Sequence, residues 1–347
     1  MRAGTARGLN LSAQNSYTSG MDAIIFLHTG HSDYLTARGY EDYLAHVLRQ
    51  ARRSNPGRRI VLLGDRADAA TKAQVEFRDS KAYDAGAAEF RKLYAHLSPN
   101  TLAGERFCFE RWFIVRDFAR AEGIASFLCA DSDVVILSDL AACKTRFGDF
   151  DLTLSEGTCA HASYWANLDV LDRFCDFVMR AYAFDDPHMT QRMMQVYRAY
   201  SAGQRLGGVS DMTLLQWFAE TPGLRVVETT EQIGGRVFDN NINVVLNGRD
   251  RFRMRGGVKD IHWKDGAAYG RLEADGTLVR FDILHCSGPA KRCIIPLCQG
   301  RQPVSGLDMA QRSFYRPARD NLRRIARAAK PAAKSMLRAI GGLAGMR

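Results

Sequence analysis

The sequence predicts an α/β fold in which a mixed, mainly parallel sheet is flanked by helices. Short apolar runs at residues 22–27 and 59–65 are typical of strands, and the stretch between them has helical period. Its apolar face consists of Tyr40, Tyr43, Leu44, Val47 and Leu48. A strand, a helix and a strand in this order form a βαβ unit, in which ligands collect at the carboxyl ends of the strands. His28 and Thr29 follow the first strand and are expected at that edge.

The later elements continue the alternation. In chain order they are a helix at 109–118, strands within 127–137, a helix at 168–182, hairpin turns at the Asp-Gly pairs 265–266 and 275–276, and a last strand at 281–284. No G-x-G-x-x-G follows the first strand and no Walker A loop is present, which argues against a dinucleotide-binding or P-loop protein.

Two carboxylates, Asp131 and Asp133, lie one residue apart between the apolar runs of residues 127–137. In an extended backbone, positions i and i+2 point the same way, so both carboxylates can converge on one ligand. Mn²⁺ or Mg²⁺ takes oxygen ligands and neutralises phosphates, so the pair predicts an anchor for a metal and a diphosphate. An isolated pair of this kind also fits a polar turn between strands, because Asp and Ser favour turns.

A second set of ligand-type residues, His285, Gly288 and Lys291, follows the last predicted strand. A neutral imidazole suits a borderline metal such as Mn²⁺, a glycine lets backbone approach a phosphate, and a lysine supplies a compact positive charge. Taken singly, they have ordinary explanations as a structural histidine, a turn and a solvated basic residue. Together with the two aspartates they favour a metal and diphosphate site.

With these motifs the chain resembles the nucleotide-sugar glycosyltransferases of the GT-A fold. It is most similar to glycosyltransferase family 8, which includes bacterial lipooligosaccharide galactosyltransferases and glycogenin. The family's D-x-D stands at residues 131–133, and its H-x-x-G-x-x-K stands at residues 285–291 with the spacing intact. The resemblance covers residues 21–298, strongly at the motifs and loosely between them.

The resemblance implies a site with two parts. Asp131, Asp133 and His285 would bind Mn²⁺ or Mg²⁺, while Gly288 and Lys291 would hold the diphosphate of a UDP-sugar. Membership of family 8 also implies that the sugar is transferred with retention of its anomeric configuration.

Weaker correspondences concern residues around the motifs. Arg111 stands where the family has a donor-contacting Arg or Lys, although a surface salt bridge explains it equally well. Asp211 opens a helix where the family has an acidic residue near the reacting sugar, although it could instead cap the first turn. We take Arg111 and Asp211 as catalytic candidates, and Arg111 together with His28, Thr29 and Ser132 as nucleotide-binding candidates.

The chain departs from the family pattern in three places. Residues 28–31 replace the acidic residues that follow the first strand, residues 161–169 replace an Asn-Ala-Gly segment, and no Pro-Trp follows Lys291. Base recognition, donor identity and acceptor class therefore do not follow from the resemblance.

Length and composition predict one catalytic domain, at residues 21–300, between a disordered start at 1–20 and a tail at 301–347. The chain has 347 residues and is 46% hydrophobic, enough for a sizeable core. No apolar run of about 18 residues and no apolar signal-peptide region appears, so we expect a cytoplasmic protein. The eight cysteines include no C-x-x-C pair, which favours reduced core thiols.

The positive charge is concentrated in the tail. Residues 312–347 carry ten Lys or Arg and one Asp, hence +9 of the formal net charge of +10. Apolar residues recur there at helical spacing, with Pro331 as a break, so we predict that this basic amphipathic segment binds the inner face of an anionic membrane. A solvated disordered tail is the plain alternative. RNA binding ranks third, and no nucleic-acid partner is expected because no recognisable module is present.

The sequence thus predicts a metal-dependent glycosyltransferase that moves a sugar from a UDP-sugar to a hydroxyl of a surface glycan or glycolipid. Two alternatives remain open. A metal-dependent nucleotidyltransferase also needs paired carboxylates and basic phosphate ligands, but it would carry a glycine-rich basic signature after the first strand. A non-catalytic, membrane-associated nucleotide-sugar binder would retain the fold.

Overall fold

A computed structural model describes residues 23–29, 43–204 and 207–303. The start of the chain that is predicted to be disordered and nearly all of the basic tail, from residue 304 onward, lie outside the described residues. Within the described residues, no helix is both long and apolar enough to cross a membrane.

Strands and helices alternate through the first half of the chain, and short strands dominate the second. The strands are β1 (Ala23–His28), β2 (Arg59–Gly64), β3 (Glu76–Asp79), β4 (Phe127–Asp131), β5 (Val134–Ile136), β6 (Leu152–Leu154), β7 (Ala162–Trp165), β8 (Val226–Glu228), β9 (Arg236–Phe238), β10 (Leu246–Asn247), β11 (Asp250–Arg251), β12 (Met254–Arg255), β13 (Val258–Lys259), β14 (Ile261–Lys264), β15 (Ala267–Arg271) and β16 (Leu278–His285).

The helices flank these strands. They are α1 (Leu44–Ser54), α2 (Asp68–Ala73), α3 (Ala85–Leu93), α4 (Leu102–Ala121), α5 (Leu140–Lys144), α6 (Leu168–Ala183), α7 (Pro187–Ser201), α8 (Asp211–Ala219) and α9 (Ile294–Cys298), with 3₁₀ turns at Ser80–Tyr83, Thr145–Phe147 and Gly288–Cys293.

A seven-stranded sheet in the order β3-β2-β1-β4-β7-β6-β8 forms the centre. Strand β1 pairs in parallel with both β2 and β4, β2 pairs in parallel with β3, and β7 runs antiparallel to β4. This confirms the predicted α/β class with a mixed, mainly parallel sheet, and it confirms the first βαβ unit.

The central sheet is covered on both faces, which is why its strands read as nearly continuous apolar runs. Along β1, Ile24 and Phe26 face one apolar core, whereas Ile25 and Leu27 face the other. Helix α1 packs into the first core, and α4 and α6 pack into the second. The carboxyl end of β1 is thereby fixed between two packed layers.

A second sheet of five strands contains the last strands of the described chain. Strands β14, β15, β16 and β5 follow one another in antiparallel pairs, and β9 adds to β16 in parallel. Asp265 and Gly266 both have positive φ and connect β14 to β15, the geometry of a two-residue hairpin turn. The predicted hairpins and the predicted last strand are confirmed.

The segment with the two aspartates joins the two sheets. Asp131 ends β4 in the central sheet, and β5 begins at Val134 in the second sheet, with Ser132 and Asp133 in a turn between them. The premise that alternation along one strand aligns the two carboxylates is therefore wrong, because the backbone turns between them. The turn that was the plain alternative is present, and the carboxylates still converge.

Candidate functional site

Three ligand-type side chains converge where the two sheets meet. One carboxylate oxygen each of Asp131 and Asp133 and one ring nitrogen of His285 all lie within 4.8 Å of one another. Asp131 comes from the carboxyl end of β4 and His285 from the last residue of β16. Asp131 and His285 are 154 positions apart in the chain, but they lie in one cluster.

The orientation of His285 suits it to bind a metal ion. Its Nδ1 lies 2.7 Å from the backbone carbonyl oxygen of Asn240, and a carbonyl only accepts, so Nδ1 carries the proton. The lone pair of Nε2 is then available, 3.6 Å from Oδ1 of Asp133. Two carboxylate oxygens and one such nitrogen form a donor set that fits Mn²⁺, and carbonyl-fixed imidazoles are typical of metal ligands.

Lys291 lies beside the second carboxylate. Its Nζ is 2.7 Å from Oδ2 of Asp133, and it projects from the 3₁₀ turn that follows β16. Burial raises the pKa of Asp133, but the charge and hydrogen bond of Lys291, together with smaller effects of other neighbours, hold that pKa below its ordinary value. Burial lowers the pKa of Lys291, but the combined effects of Asp133 and Tyr43 raise it above its ordinary value. Both groups stay charged at neutral pH.

Arg111 bridges two carboxylates on the other side. Its Nη1 donates to Asp131 at 2.6 Å, and its Nη2 donates to Asp211 at 2.9 Å. Its guanidinium also lies over the ring of Trp112, 4.4 Å from the centroid. Burial raises the pKa of Asp131, and Arg111 opposes that rise. Arg111 is mostly buried, so the plain surface salt bridge does not describe it.

Asp211 is held on both of its oxygens. Oδ2 accepts from Arg111 and from the indole Nε1 of Trp112 at 3.2 Å, while Oδ1 accepts from the backbone N–H of Met212. The N-cap of α8 is Ser210, which forms a capping box with Thr213. Asp211 is therefore not the N-cap; one of its oxygens accepts from an N–H of the first turn, and the other anchors Arg111.

Ser132 lies in a small group of polar side chains near Lys291. Its hydroxyl lies 3.0 Å from Nδ1 of His28 and 3.3 Å from the hydroxyl of Tyr43. Lys291 in turn donates to Tyr43 at 3.5 Å, with its ammonium over the tyrosine ring. The predicted candidates His28, Ser132 and Lys291 are thus brought together, with Tyr43 between them.

Two further candidates are Thr29, which follows His28, and Gly288, which begins the turn with Lys291. Thr29 is buried, and its hydroxyl has no hydrogen-bond partner among the described residues. Gly288 has φ of 54°, a conformation that favours glycine, and a Cβ there would meet nothing within 4 Å. The glycine is therefore required by the backbone that starts the turn with Lys291.

Sequence reasoning missed three contributors. His161 stacks on His285, Asn240 fixes its tautomer through a carbonyl, and Tyr43 links Ser132 to Lys291. Tyr43 was recognised only as part of an apolar helix face. His161 lies in the segment that replaces the family's Asn-Ala-Gly, and its proximity to the site could have been inferred only from the pairing of β7 with β4.

Comparisons with known proteins are distant. No protein-family model matches the chain, and no curated protein matches it. Among solved structures, the galactosyltransferase LgtC in complex with donor and acceptor sugar analogues is 14% identical, covering 81% of this chain and 97% of that chain, with a TM-score of 0.40. Mouse xyloside xylosyltransferase 1 in its apo form is 11% identical, covering 59% and 84%, with a TM-score of 0.39.

A cytidylyltransferase from Leptospira borgpetersenii serovar Hardjo-bovis is 13% identical, covering 44% of this chain and 63% of that chain, with a TM-score of 0.30. At these identities and TM-scores the likeness is one of distant architecture. The chemistry of the site therefore has to be read from its own side chains.

Proposed function

We propose that this chain is a divalent-metal-dependent glycosyltransferase of the GT-A type that uses a nucleoside diphosphate sugar as donor. The observation that carries the proposal is the convergence of Asp131, Asp133 and His285 with Lys291 beside them. A cation held by the first three residues would stabilise negative charge on the departing diphosphate. Motifs of the same residue types and spacing occur in glycosyltransferase family 8, to which we assign the chain in this proposal.

The fixed cations of the site support this chemistry. Lys291 and Arg111 are charged, mostly buried and anchored by carboxylates, so their positions do not have to be reorganised when charge develops on a leaving phosphate. Such preorganised charge is worth more in a water-poor site than in bulk solvent. In this proposal, Thr29, Ser132 and Gly288 also contribute to binding of the diphosphate.

Asp211 and Arg111 form the catalytic part of the proposal. Because both oxygens of Asp211 are hydrogen-bonded, Asp211 is best suited to orient Arg111 toward the donor and to fix the charge near the reacting sugar. The resemblance to family 8 supports a UDP-sugar as donor, a hydroxyl of a surface glycan or glycolipid as acceptor, and retention of the anomeric configuration.

A product assay tests this reaction. The protein is incubated with Mn²⁺ and a panel of UDP-, GDP-, ADP- and CMP-sugars, and slow hydrolysis is followed without an acceptor. We expect release of UDP and free sugar, with the α or β form of the sugar retained. A parallel incubation supplies nucleoside triphosphates and sugar phosphates, and release of pyrophosphate there, as expected of a nucleotidyltransferase, would overturn the proposal.

We further propose that the basic segment at 312–347 docks the enzyme on the cytoplasmic face of an anionic membrane, near a glycolipid acceptor. Each cation close to such a surface contributes about 1 kcal/mol, and ten are available. Removal of residues 312–347 should reduce binding to phosphatidylglycerol vesicles at least tenfold and leave donor hydrolysis unchanged. Equal vesicle binding by the shortened chain would contradict the docking role.

A further inference from the structure

Outside the candidate active site, two arginine side chains contact the fully buried carboxylate of Asp282, and a third reaches a hydroxyl that one of them also binds. Arg146, from the 3₁₀ turn after α5, contacts Oδ2 of Asp282, and Arg236, from β9, contacts Oδ1. Arg236 also donates to the hydroxyl of Ser138 at 3.0 Å, and Arg280 donates to the same hydroxyl at 3.4 Å. One carboxylate and one hydroxyl thus serve three guanidinium groups.

The sheet register brings like charges together. Arg280 of β16 is the direct partner of Arg236 in the parallel pairing of β9 with β16. Like charges in directly opposed positions destabilise a sheet. The two oxygens of Asp282 are already engaged by Arg146 and Arg236. Within the described part of the chain, Arg280 has no carboxylate partner of its own.

The cluster also contains donors that remain unused. The Nε–H groups of Arg146 and Arg280 are buried and have no acceptor among the described residues. A buried donor without an acceptor costs about 1–3 kcal/mol, more when it is charged. An excess of positive charge together with unused N–H donors is typical of an anion-binding site.

We propose that Arg146, Arg236 and Arg280 form a binding site for a phosphate group. Planar guanidinium forks match phosphate oxygens in pairs, and several arginines around one anion give both charge neutralisation and directional hydrogen bonds. Arg280 lies five positions before His285 on β16, which is about 16 Å along a strand. The phosphate group bound here is therefore separate from the diphosphate of a donor.

Two variants, each of which removes one positive charge, test the site. Arg280→Gln removes a guanidinium that does not hold Asp282, so folding should be retained. Arg249→Gln, at a side chain that is 91% exposed, is the matched control. Calorimetric titration with inorganic phosphate at low ionic strength should show at least a fivefold loss of affinity in Arg280→Gln and less than a 1.5-fold loss in Arg249→Gln. Arg280→Lys should fall between them, because it keeps charge and loses the fork.

A second arm identifies the source of the phosphate group. Binding to phosphatidylcholine vesicles with and without phosphatidic acid is compared for the full-length wild-type chain, Arg280→Gln and Arg249→Gln. If Arg280→Gln alone loses affinity for inorganic phosphate and also binds phosphatidic acid vesicles more weakly, the natural ligand is a lipid headgroup. If it loses only affinity for inorganic phosphate, the natural ligand is a soluble phosphate ester.

Equal phosphate affinity in Arg280→Gln and Arg249→Gln would overturn the site. If that affinity instead disappears in Lys291→Ala, the phosphate binds at the candidate active site. The arginine proposal then fails, while the proposed glycosyltransferase function stands.

Discussion

His161 and His285 stack face to face, with ring centroids 4.1 Å apart and an angle of 10° between the ring planes. The consecutive carbonyls of Asp239 and Asn240 accept one N–H from each ring, at 3.0 and 2.7 Å. Burial lowers the pKa of His161 well below its ordinary value, so its ring is neutral, and its Nδ1 accepts from the thiol of Cys159. The stacked ring of His161 and the carbonyl of Asn240 hold His285 with Nε2 toward Asp133.

This stack predicts that His161 controls metal affinity without touching the metal. His161→Ala should weaken Mn²⁺ binding 10- to 100-fold, the range found for partners of metal-ligating histidines, and His161→Phe should weaken it less because a flat ring remains. The dissociation constant is measured from the paramagnetic resonance signal of free Mn²⁺. His188→Ala, at the exposed start of α7, is the control. A folded His161→Ala protein with wild-type Mn²⁺ affinity would refute the role.

Asp211 is predicted to affect turnover more than nucleotide binding. Asp211→Asn keeps the size of the side chain but removes the charge that orients Arg111 on the side away from Asp131. We expect kcat for donor hydrolysis to fall about 100-fold or more, the loss of about 2.7 kcal/mol of transition-state stabilisation. The affinity for UDP with Mn²⁺ should change less than threefold. A variant with unchanged kcat would exclude Asp211 from catalysis.

The loop that carries the two carbonyls depends on a buried ion pair. Lys259 and Asp239 have no exposed side-chain surface, and Lys259 also donates to the carbonyl of Asn241 at 2.9 Å. Lys259→Met leaves a buried carboxylate without its cation and should lower the free energy of unfolding by about 3–5 kcal/mol. Adding Asp239→Leu should recover part of that loss in urea denaturation. A double variant less stable than the single variant would contradict this view.

Tyr43 is predicted to support the diphosphate ligands through its hydroxyl. Tyr43→Phe keeps the ring under Lys291 but removes the oxygen that accepts from Lys291 and bonds with Ser132. We expect the dissociation constant for UDP with Mn²⁺ to rise about three- to tenfold, the effect of roughly one hydrogen bond. Tyr83→Phe, which packs on Phe118 away from the site, should bind UDP normally. Equal affinities of Tyr43→Phe and Tyr83→Phe for UDP would show that the hydroxyl of Tyr43 does not contribute to nucleotide binding.

Much of the fold could be predicted because short local sequence patterns determine its strands and turns. The apolar run of β1 and the Asp-Gly turn at 265–266 depend on burial and on positive φ, which single residues reveal. The resemblance to glycosyltransferase family 8 also implied that His285 and the two aspartates belong to one site. The two carboxylates converge through the turn at Ser132 and Asp133. The sequence did not predict this, because the turn depends on β4 and β5 joining different sheets.

The supporting residues could not be predicted for a related physical reason. His161 and Asn240 act through stacking and backbone carbonyls, and such contacts leave no characteristic residue spacing. Arg236 and Arg280 are 44 positions apart in the chain, and only the pairing of β9 with β16 brings them next to each other. The membrane role of residues 312–347 stays a prediction, because that segment lies outside the described residues.

The central claim is that Asp131, Asp133 and His285 hold a cation that binds a nucleoside diphosphate. Calorimetric titration with UDP, in Mn²⁺ and in EDTA, tests it most directly on the wild-type chain, on Asp133→Asn and on Asp149→Asn, a mostly exposed control. We predict tight binding in Mn²⁺ by the wild type and by Asp149→Asn, and none in EDTA or by Asp133→Asn. Binding of UDP that is equal in Mn²⁺ and EDTA, or that survives in Asp133→Asn, would contradict the metal site.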